Sequence, residues 1–174
     1  MIELVPIGDV EPEAVEQLLD RAFGTDRHRR TAYALRSGTV ALPRISFAAI
    51  HNGSLVGTIQ CWPIWFVPDL PDGERVPMTL MGPVAVTPAY QQEGIGRRLM
   101  NAALDANEAG MVPGSAALML IGDPEYYARF FGFSAERTAA WRLPGPVERH
   151  RLLARGLSVP DASGTIMPRA LTNS

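Results

Sequence analysis

Residues 81–100, Met-Gly-Pro-Val-Ala-Val-Thr-Pro-Ala-Tyr-Gln-Gln-Glu-Gly-Ile-Gly-Arg-Arg-Leu-Met, hold the clearest capacity for chemistry in this chain. The run from Leu80 to Val86 reads as a buried strand, Thr87 to Tyr90 as a proline-bounded turn, and the residues after Tyr90 as a helix entered through glycines. Gly94 and Gly96 carry no side chain, so a ligand can come close to their backbone. The opening turn of a helix presents N–H groups without intrahelical partners at the positive end of its dipole. Strand, glycine turn and helix start together make an anion cradle, best matched by a phosphate or a pyrophosphate.

Missing residues narrow the ligand. A Walker A loop needs a Lys directly after its last glycine, and this chain contains no Lys. A dinucleotide fingerprint needs a third glycine in G-x-G-x-x-G; Leu99 stands in that place. Both nucleotide readings fail on residues.

The pattern that remains, Gln91-x-x-Gly94-x-Gly96 after a strand, resembles the pyrophosphate-binding motif of the GCN5-related N-acetyltransferases (GNAT). The resemblance implies that acetyl-CoA is the cosubstrate, its pyrophosphate held by the amides of Gln92, Glu93, Gly94, Ile95, Gly96 and Arg97, with Gln91 opening the motif. A second stretch agrees. Residues 122–133, Gly-Asp-Pro-Glu-Tyr-Tyr-Ala-Arg-Phe-Phe-Gly-Phe, begin with a helix-start signal at Asp123-Pro124 and reach a stop at Gly132. They resemble the family's short helix ending in Tyr-x-x-x-Gly-Phe, although Tyr127 stands five residues before Gly132 and Ala128 occupies the four-residue position. Leu80-Met-Gly-Pro-Val-Ala-Val86, Gly122-Asp-Pro-Glu-Tyr-Tyr127 and Trp141-Arg-Leu-Pro-Gly-Pro-Val147 are similar to the bacterial YhbS-like subgroup of that family.

What the resemblance implies is an N-acetyltransferase that passes the acetyl group directly to a primary amine. The backbone of Val84, Ala85 and Val86 would hold the pantetheine arm beside a splay in the sheet, and the N–H near Val86 would face the oxyanion. A tyrosine would protonate the leaving thiolate, Tyr127 being favoured and Tyr126 kept open. Asp123 sits near the end of the parallel strand, where the thioester belongs, and also fits a helix N-cap. No residue stands out as the base. Trp62, Trp65 and Phe66 are candidates for an acceptor wall. The alternative is a non-catalytic coenzyme-A-binding regulatory or partner module on the same fold.

These groups need a scaffold. A first strand over Ile2 to Ile7 precedes a helix opened by Glu11-Pro12-Glu13, with Val15, Leu18, Leu19, Ala22 and Phe23 at helical spacing. A second short helix is expected over Arg27 to Leu35, with His28, Arg29, Arg30 and Arg36 on a solvated basic face. Ile45 to Ile50 and Leu55 to Trp62 flank His51-Asn52-Gly53-Ser54, a hairpin signal, with a continuation of the second strand to Phe66 left open. Pro68 to Pro77 reads as a loop. The glycine-motif helix presents Ile95, Leu99, Ala102, Ala103 and Ala106 on one stripe and stops at Gly110, followed by a buried strand over Ser115 to Ile121. Strand, helix and strand form a crossover, which requires parallel pairing. Phe133 is expected to start another strand, Glu148 to Leu157 to be helical, and Leu171 to Ser174 to fray.

The expected fold class is α/β (α+β): a mixed, mostly antiparallel sheet with a splayed parallel pair at the glycine motif, flanked by helices. Residues 1–174 read as one domain, with 135–170 a C-terminal extension packed on it. Composition fits: 47% hydrophobic and 20% charged residues over 174 positions suit a single globular core. No run of about 18 apolar residues suggests a bilayer span, and Met-Ile-Glu-Leu-Val-Pro is not a signal peptide, so a cytoplasmic protein without membrane contact is expected. A net charge of −2 gives no support to nucleic-acid binding. Cys61, the single cysteine, excludes an internal disulfide and reads as a buried strand residue. The three histidines are far apart, so no metal is expected, and the absence of Lys removes Schiff-base chemistry. A homodimer is left open, with no self-complementary surface to name.

Overall fold

The structure is a computed structural model describing residues 1–110 and 112–171. The fraying expected at Leu171 to Ser174 thus falls, past Leu171, outside the described residues. The strands are β1 (Ile2–Pro6), β2 (Phe47–His51), β3 (Ser54–Pro68), β4 (Val76–Val86), β5 (Leu118–Ile121), β6 (Trp141–Arg142), β7 (Leu152–Arg155) and β8 (Gly164–Pro168). The α-helices are α1 (Pro12–Phe23), α2 (Thr31–Ala34), α3 (Ile95–Gly110) and α4 (Pro124–Phe131). The sheet runs β1-β2-β3-β4-β5-β7, with β8 paired to β3 and β6 to β8. β1–β2, β2–β3, β3–β8 and β5–β7 are antiparallel, while β4–β5 and β6–β8 are parallel. The mixed sheet with its parallel crossover is the expected one.

Contacts divide the chain into two compact units. The first comprises residues 1–28, 41–61 and 81–110. In it Pro12 opens α1 at a position where its missing N–H costs nothing. Val15, Leu18 and Leu19 then bury against Ala85, with Ile7, Val10, Ala22, Phe23 and Leu55 around them. Asn52 (φ +49) and Gly53 (φ +78) close the β2–β3 hairpin, with His51 opposite Ser54. Two successive positive φ angles match a turn to the right-handed twist of its strands. The first hairpin strand starts at Phe47 and not Ile45, because Pro43–Ile45 coils as a 3₁₀ turn.

The second unit comprises residues 29–40, 62–80 and the chain after Gly110. Here several expectations change. β3 extends to Pro68, since β8 pairs with its last five residues, Ile64 to Pro168 through Pro68 to Gly164; β4 opens at Val76 and not Leu80, so the expected Pro68 to Pro77 loop shrinks at both ends. The buried strand after α3 covers only Leu118–Ile121, because turn bonds from Ser115 N–H to the Val112 carbonyl (3.0 Å) and from Ala117 N–H to that of Gly114 (3.4 Å) occupy its first residues. Phe133 starts no strand; Ser134 makes one isolated bridge to Ala154.

The helix expected over Glu148 to Leu157 is a 3₁₀ turn, Arg149–Arg151, followed by β7. Leu152, Leu153 and Ala154 are all buried, and β7 pairs with Leu118 to Ile121 of β5. A short apolar run satisfies either period, and pairing with an open strand decided it. Gly156 (φ +133) ends β7 where a Cβ would lie 2.2 Å from the Ala116 carbonyl oxygen. The second helix is likewise split, into a 3₁₀ turn at Thr25–Arg29 and the four-residue α2.

Candidate active site

In the first unit β4 leads straight into the glycine motif. Its parallel register with β5 covers Thr79 opposite Leu118 and Leu80 opposite Met119, and β4 then continues from Met81 to Val86. The parallel pairing of β4 with β5 ends at Leu80 opposite Met119. Thr87 N–H donates to the Val56 carbonyl (2.9 Å), and a 3₁₀ turn at Pro88–Tyr90 redirects the chain. Gln91 Nε2 donates to the Val86 carbonyl at 3.1 Å. The opening residue of the motif therefore ties the loop back to the end of the strand.

The loop itself faces solvent: Gln91, Gln92, Glu93 and Gly94 are exposed, and Ile95 is buried. Gln92 (φ +73) and Gly94 (φ +81) are left-handed, a backbone state that occurs in the turns from which anion-binding nests are built. The first intrahelical bond runs from Arg98 N–H to the Gly94 carbonyl (3.1 Å). Helix geometry therefore leaves the amides of Ile95 and Gly96 in the turn that lacks intrahelical acceptors. A Cβ at Gly94 would meet nothing within 4 Å, and one at Gly96 would make ordinary contact with Val84 Cγ1 at 3.7 Å.

α3 is held firmly beneath this loop. Ile95, Leu99, Met100, Ala103 and Leu104 are buried. A Cβ at Gly57 of β3 would lie 3.1 Å from Ile95 Cγ2 and 3.2 Å from Leu99 Cδ1, so that glycine lets the helix start approach the strand. Arg98 Nη1 reaches the Ile2 carbonyl at 3.2 Å. Val84, Ala85 and Val86 are half-buried, buried and half-buried in turn.

Cys61 in the same unit is buried, with Sγ 3.3 Å from the Ile45 carbonyl it donates to. Burial pushes its thiol up to about 12, against a smaller opposing pull from the Gly82 backbone. A protonated, enclosed thiol is no nucleophile. Because the folded pKa is raised, the folded state binds the extra proton, and stability from this group falls as pH rises from about 9 toward 12. Cys61→Ala is expected to flatten that decline in urea unfolding at pH 8, 9 and 10; an unchanged pH slope would contradict the assignment.

In the second unit Asp123 Oδ1 accepts from Glu125 N–H at 3.0 Å and Pro124 takes the first helical position of α4. The carboxylate is engaged as an N-cap. Gly132 (φ +72) closes the helix, its N–H donating to the Ala128 carbonyl at 3.2 Å, and Phe133 N–H donates to the Tyr127 carbonyl at 3.2 Å. Arg155 of β7 donates to the last-turn carbonyl of Phe131 at 3.0 Å, a C-terminal contact the sequence did not disclose. Tyr126 and Tyr127 meet edge to face at 5.0 Å. Tyr126 packs on Phe130 and Phe131 at 5.2 and 5.7 Å, Tyr127 on Phe131 and Phe133 at 5.9 and 6.5 Å. Burial, then Tyr126, raise the Tyr127 phenol above its usual value, with Asp123 adding and Arg151 opposing. Tyr127 thus stays protonated throughout the neutral range, as a proton donor should.

The residues chosen for an acceptor wall divide. Phe66 is buried and packs at a tilt against the buried Trp141, centroids 5.6 Å apart, while Trp65 lies beneath the Arg169 guanidinium at 5.5 Å. Trp62 is also buried, with the Arg36 guanidinium 4.1 Å from its ring centroid and 4.6 Å from that of Tyr33. Arg36 therefore lies over two rings and is not merely solvated. Arg27, read as part of the next helix, is instead buried and paired with Glu16 and Asp20 of α1.

Residues 13–133 match the acetyltransferase (GNAT) family. An uncharacterized N-acetyltransferase, YhbS of Escherichia coli K12, is 30% identical over 139 residues, covering 78% of this chain and 77% of the relative. The crystal structure of the E. coli GNAT family N-acetyltransferase YhbS in complex with CoA superposes with a TM-score of 0.69 at 24% identity, over 97% of this chain and 89% of that one. A GNAT family acetyltransferase from Brucella melitensis in complex with acetyl-CoA gives 0.63 at 23% identity, over 98% and 97%. Those two structures share the fold.

Proposed function

Because this chain belongs to the acetyltransferase (GNAT) family, we propose that it transfers the acetyl group of acetyl-CoA directly to a primary amine. The observation that carries this reading is the exposed, left-handed turn from Gln92 to Gly94 at the head of the 16-residue α3. In this reading the pyrophosphate binds the amides of Gln92, Glu93, Gly94, Ile95, Gly96 and Arg97, and Gln91 keeps the loop on the strand. Solved relatives crystallised with CoA or acetyl-CoA support the choice of ligand.

The pantetheine arm lies along Val84, Ala85 and Val86, with the Val86 N–H facing the thioester oxygen. One preorganised donor of that kind is worth about 3 kcal/mol in other acyl transfers. The amine nitrogen attacks the carbonyl carbon, the carbon–sulfur bond breaks, and the thiolate takes the phenolic proton of Tyr127. The proton lost by the amine leaves through water, so no side-chain base is required. Holding the amine beside the thioester supplies much of the rate. The same reading takes residues 1–174 as one catalytic domain acting in the cytoplasm. Among the described residues no helix is long and apolar enough to cross a membrane.

Incubation with acetyl-CoA and a panel of amino acids, polyamines, aminoglycosides and peptides tests the activity. Amine-dependent release of free CoA is the expected result. Tight CoA binding with no release above background on any amine would overturn catalysis and leave a coenzyme-binding module.

A further inference from the structure

We propose that Gly122 is a positioning residue for acetyl transfer: lacking a side chain, it lets the Tyr127 ring lie against the end of β5 and so fixes where the phenol presents its proton. The inference rests on Tyr127 being the acid that protonates the thiolate. A Cβ at Gly122 would lie 2.4 Å from Tyr127 Cε2 and 2.9 Å from its Cδ2. Cε2 is bonded to the carbon that bears the hydroxyl, so it is the working half of the ring that rests on the glycine.

Backbone freedom does not explain this glycine. Gly122 is absent from the residues with positive φ, so an L side chain would suit its backbone, and the ring contact alone forbids one. Its position is also fixed. Its N–H donates to the Arg151 carbonyl at 2.9 Å, and the next residue, Asp123, caps α4. Phe131, Phe133 and Tyr126 surround the same ring at 5.9, 6.5 and 5.0 Å. A methyl group at 122 therefore has to move the phenol or shift α4. Displacements of about 1 Å in a reacting group can cost about a hundredfold in rate.

The test compares the wild type with Gly122→Ala, Tyr127→Phe and the double variant. Gly122→Ala is expected to lower kcat about 10- to 100-fold, with KM for acetyl-CoA within about twofold. In the Tyr127→Phe background the same change should lower kcat little further, because both act through one hydroxyl. Ultraviolet titration supplies a readout beyond activity. The phenol of Tyr127 faces Tyr126, Asp123 and Arg151; swung toward water by the methyl group, it should titrate closer to the ordinary tyrosine range in Gly122→Ala.

The outcomes separate. Unchanged kcat in Gly122→Ala beside a lowered kcat in Tyr127→Phe would overturn the role of Gly122 alone. Unchanged kcat in Tyr127→Phe would overturn the acid assignment, and the positioning role with it. Should Gly122→Ala prove too unstable to assay, Gly122→Ala/Tyr127→Leu, whose side chain clears the methyl, is expected to regain stability over Gly122→Ala; failure to regain it would place the conflict elsewhere and overturn the inference.

Discussion

Gly94→Asp is expected to weaken acetyl-CoA binding roughly 30- to 700-fold, about 2–4 kcal/mol, while the protein stays folded. Backbone, space and charge contribute separately at this position. Gly94 has φ +81, a conformation that costs most L residues about 1–2 kcal/mol and that Asp and Asn tolerate best. The space around it is open, with nothing within 4 Å of an added Cβ, so the protein meets no clash. What remains is a carboxylate placed where a pyrophosphate is expected. Like charges 4 Å apart repel by about 1 kcal/mol in water and about 4 kcal/mol near a protein surface. Gly94→Asn has nearly the same shape and backbone demand without the charge, and is expected to lose only a few-fold. Calorimetric titration of both variants checks this. Equal losses in the two would show that the turn matters for its shape and not as an anion cradle.

Tyr127→Phe is expected to lower kcat by about 10²- to 10⁴-fold, the usual range for positioned acid–base groups. KM for acetyl-CoA should hardly change, because the lost hydroxyl acts only as the thiolate leaves. The pH dependence comes from the raised phenol. Burial and its neighbours hold Tyr127 above the ordinary tyrosine value, which is about 10. The acid form therefore persists through mildly alkaline solution, and any fall in rate from its ionisation lies above about pH 10. The Phe variant should lack that fall. Tyr126→Phe, whose ring packs on Phe130 and Phe131, should keep most of its activity. Equal losses from the two substitutions would contradict the choice of Tyr127.

Local punctuation made much of this legible. Asn52-Gly53, Asp123-Pro124 and Gly132 each specify a backbone state within a few residues, and each stands where the sequence indicates. The strand, turn and helix around Gly94 are readable for the same reason. What the sequence hid depends on distant partners. Leu152 to Arg155 has an apolar run that suits a helix as well as a strand, and only the open edge of β5 decides. β8 claims the end of β3 from about a hundred residues away, Ile64 against Pro168. Arg36 looks solvated in sequence because nothing local reveals Trp62 across from it.

Gly122 shows the limit most sharply at the site. Next to Asp-Pro it reads as an ordinary strand-end glycine, and its reason lies in the ring of Tyr127, five residues on. A signal was present: a glycine whose neighbours already supply the turn is free to serve a side chain instead. Likewise Gln91 belongs to the motif, but its amide answers to the Val86 carbonyl, a bond that no spacing rule specifies.

Thermal unfolding of the wild-type protein with acetyl-CoA, CoA, ATP and NAD at matched concentrations is the sharpest check on the coenzyme assignment. A ligand that binds only the folded state stabilises it by about 2.7 kcal/mol at a hundred times its Kd. Acetyl-CoA and CoA should each raise the transition temperature with concentration, while ATP and NAD leave it in place. No shift with either coenzyme at millimolar concentration would make the turn at Gly94 a structural feature, and the proposed acetyl transfer would fall with it.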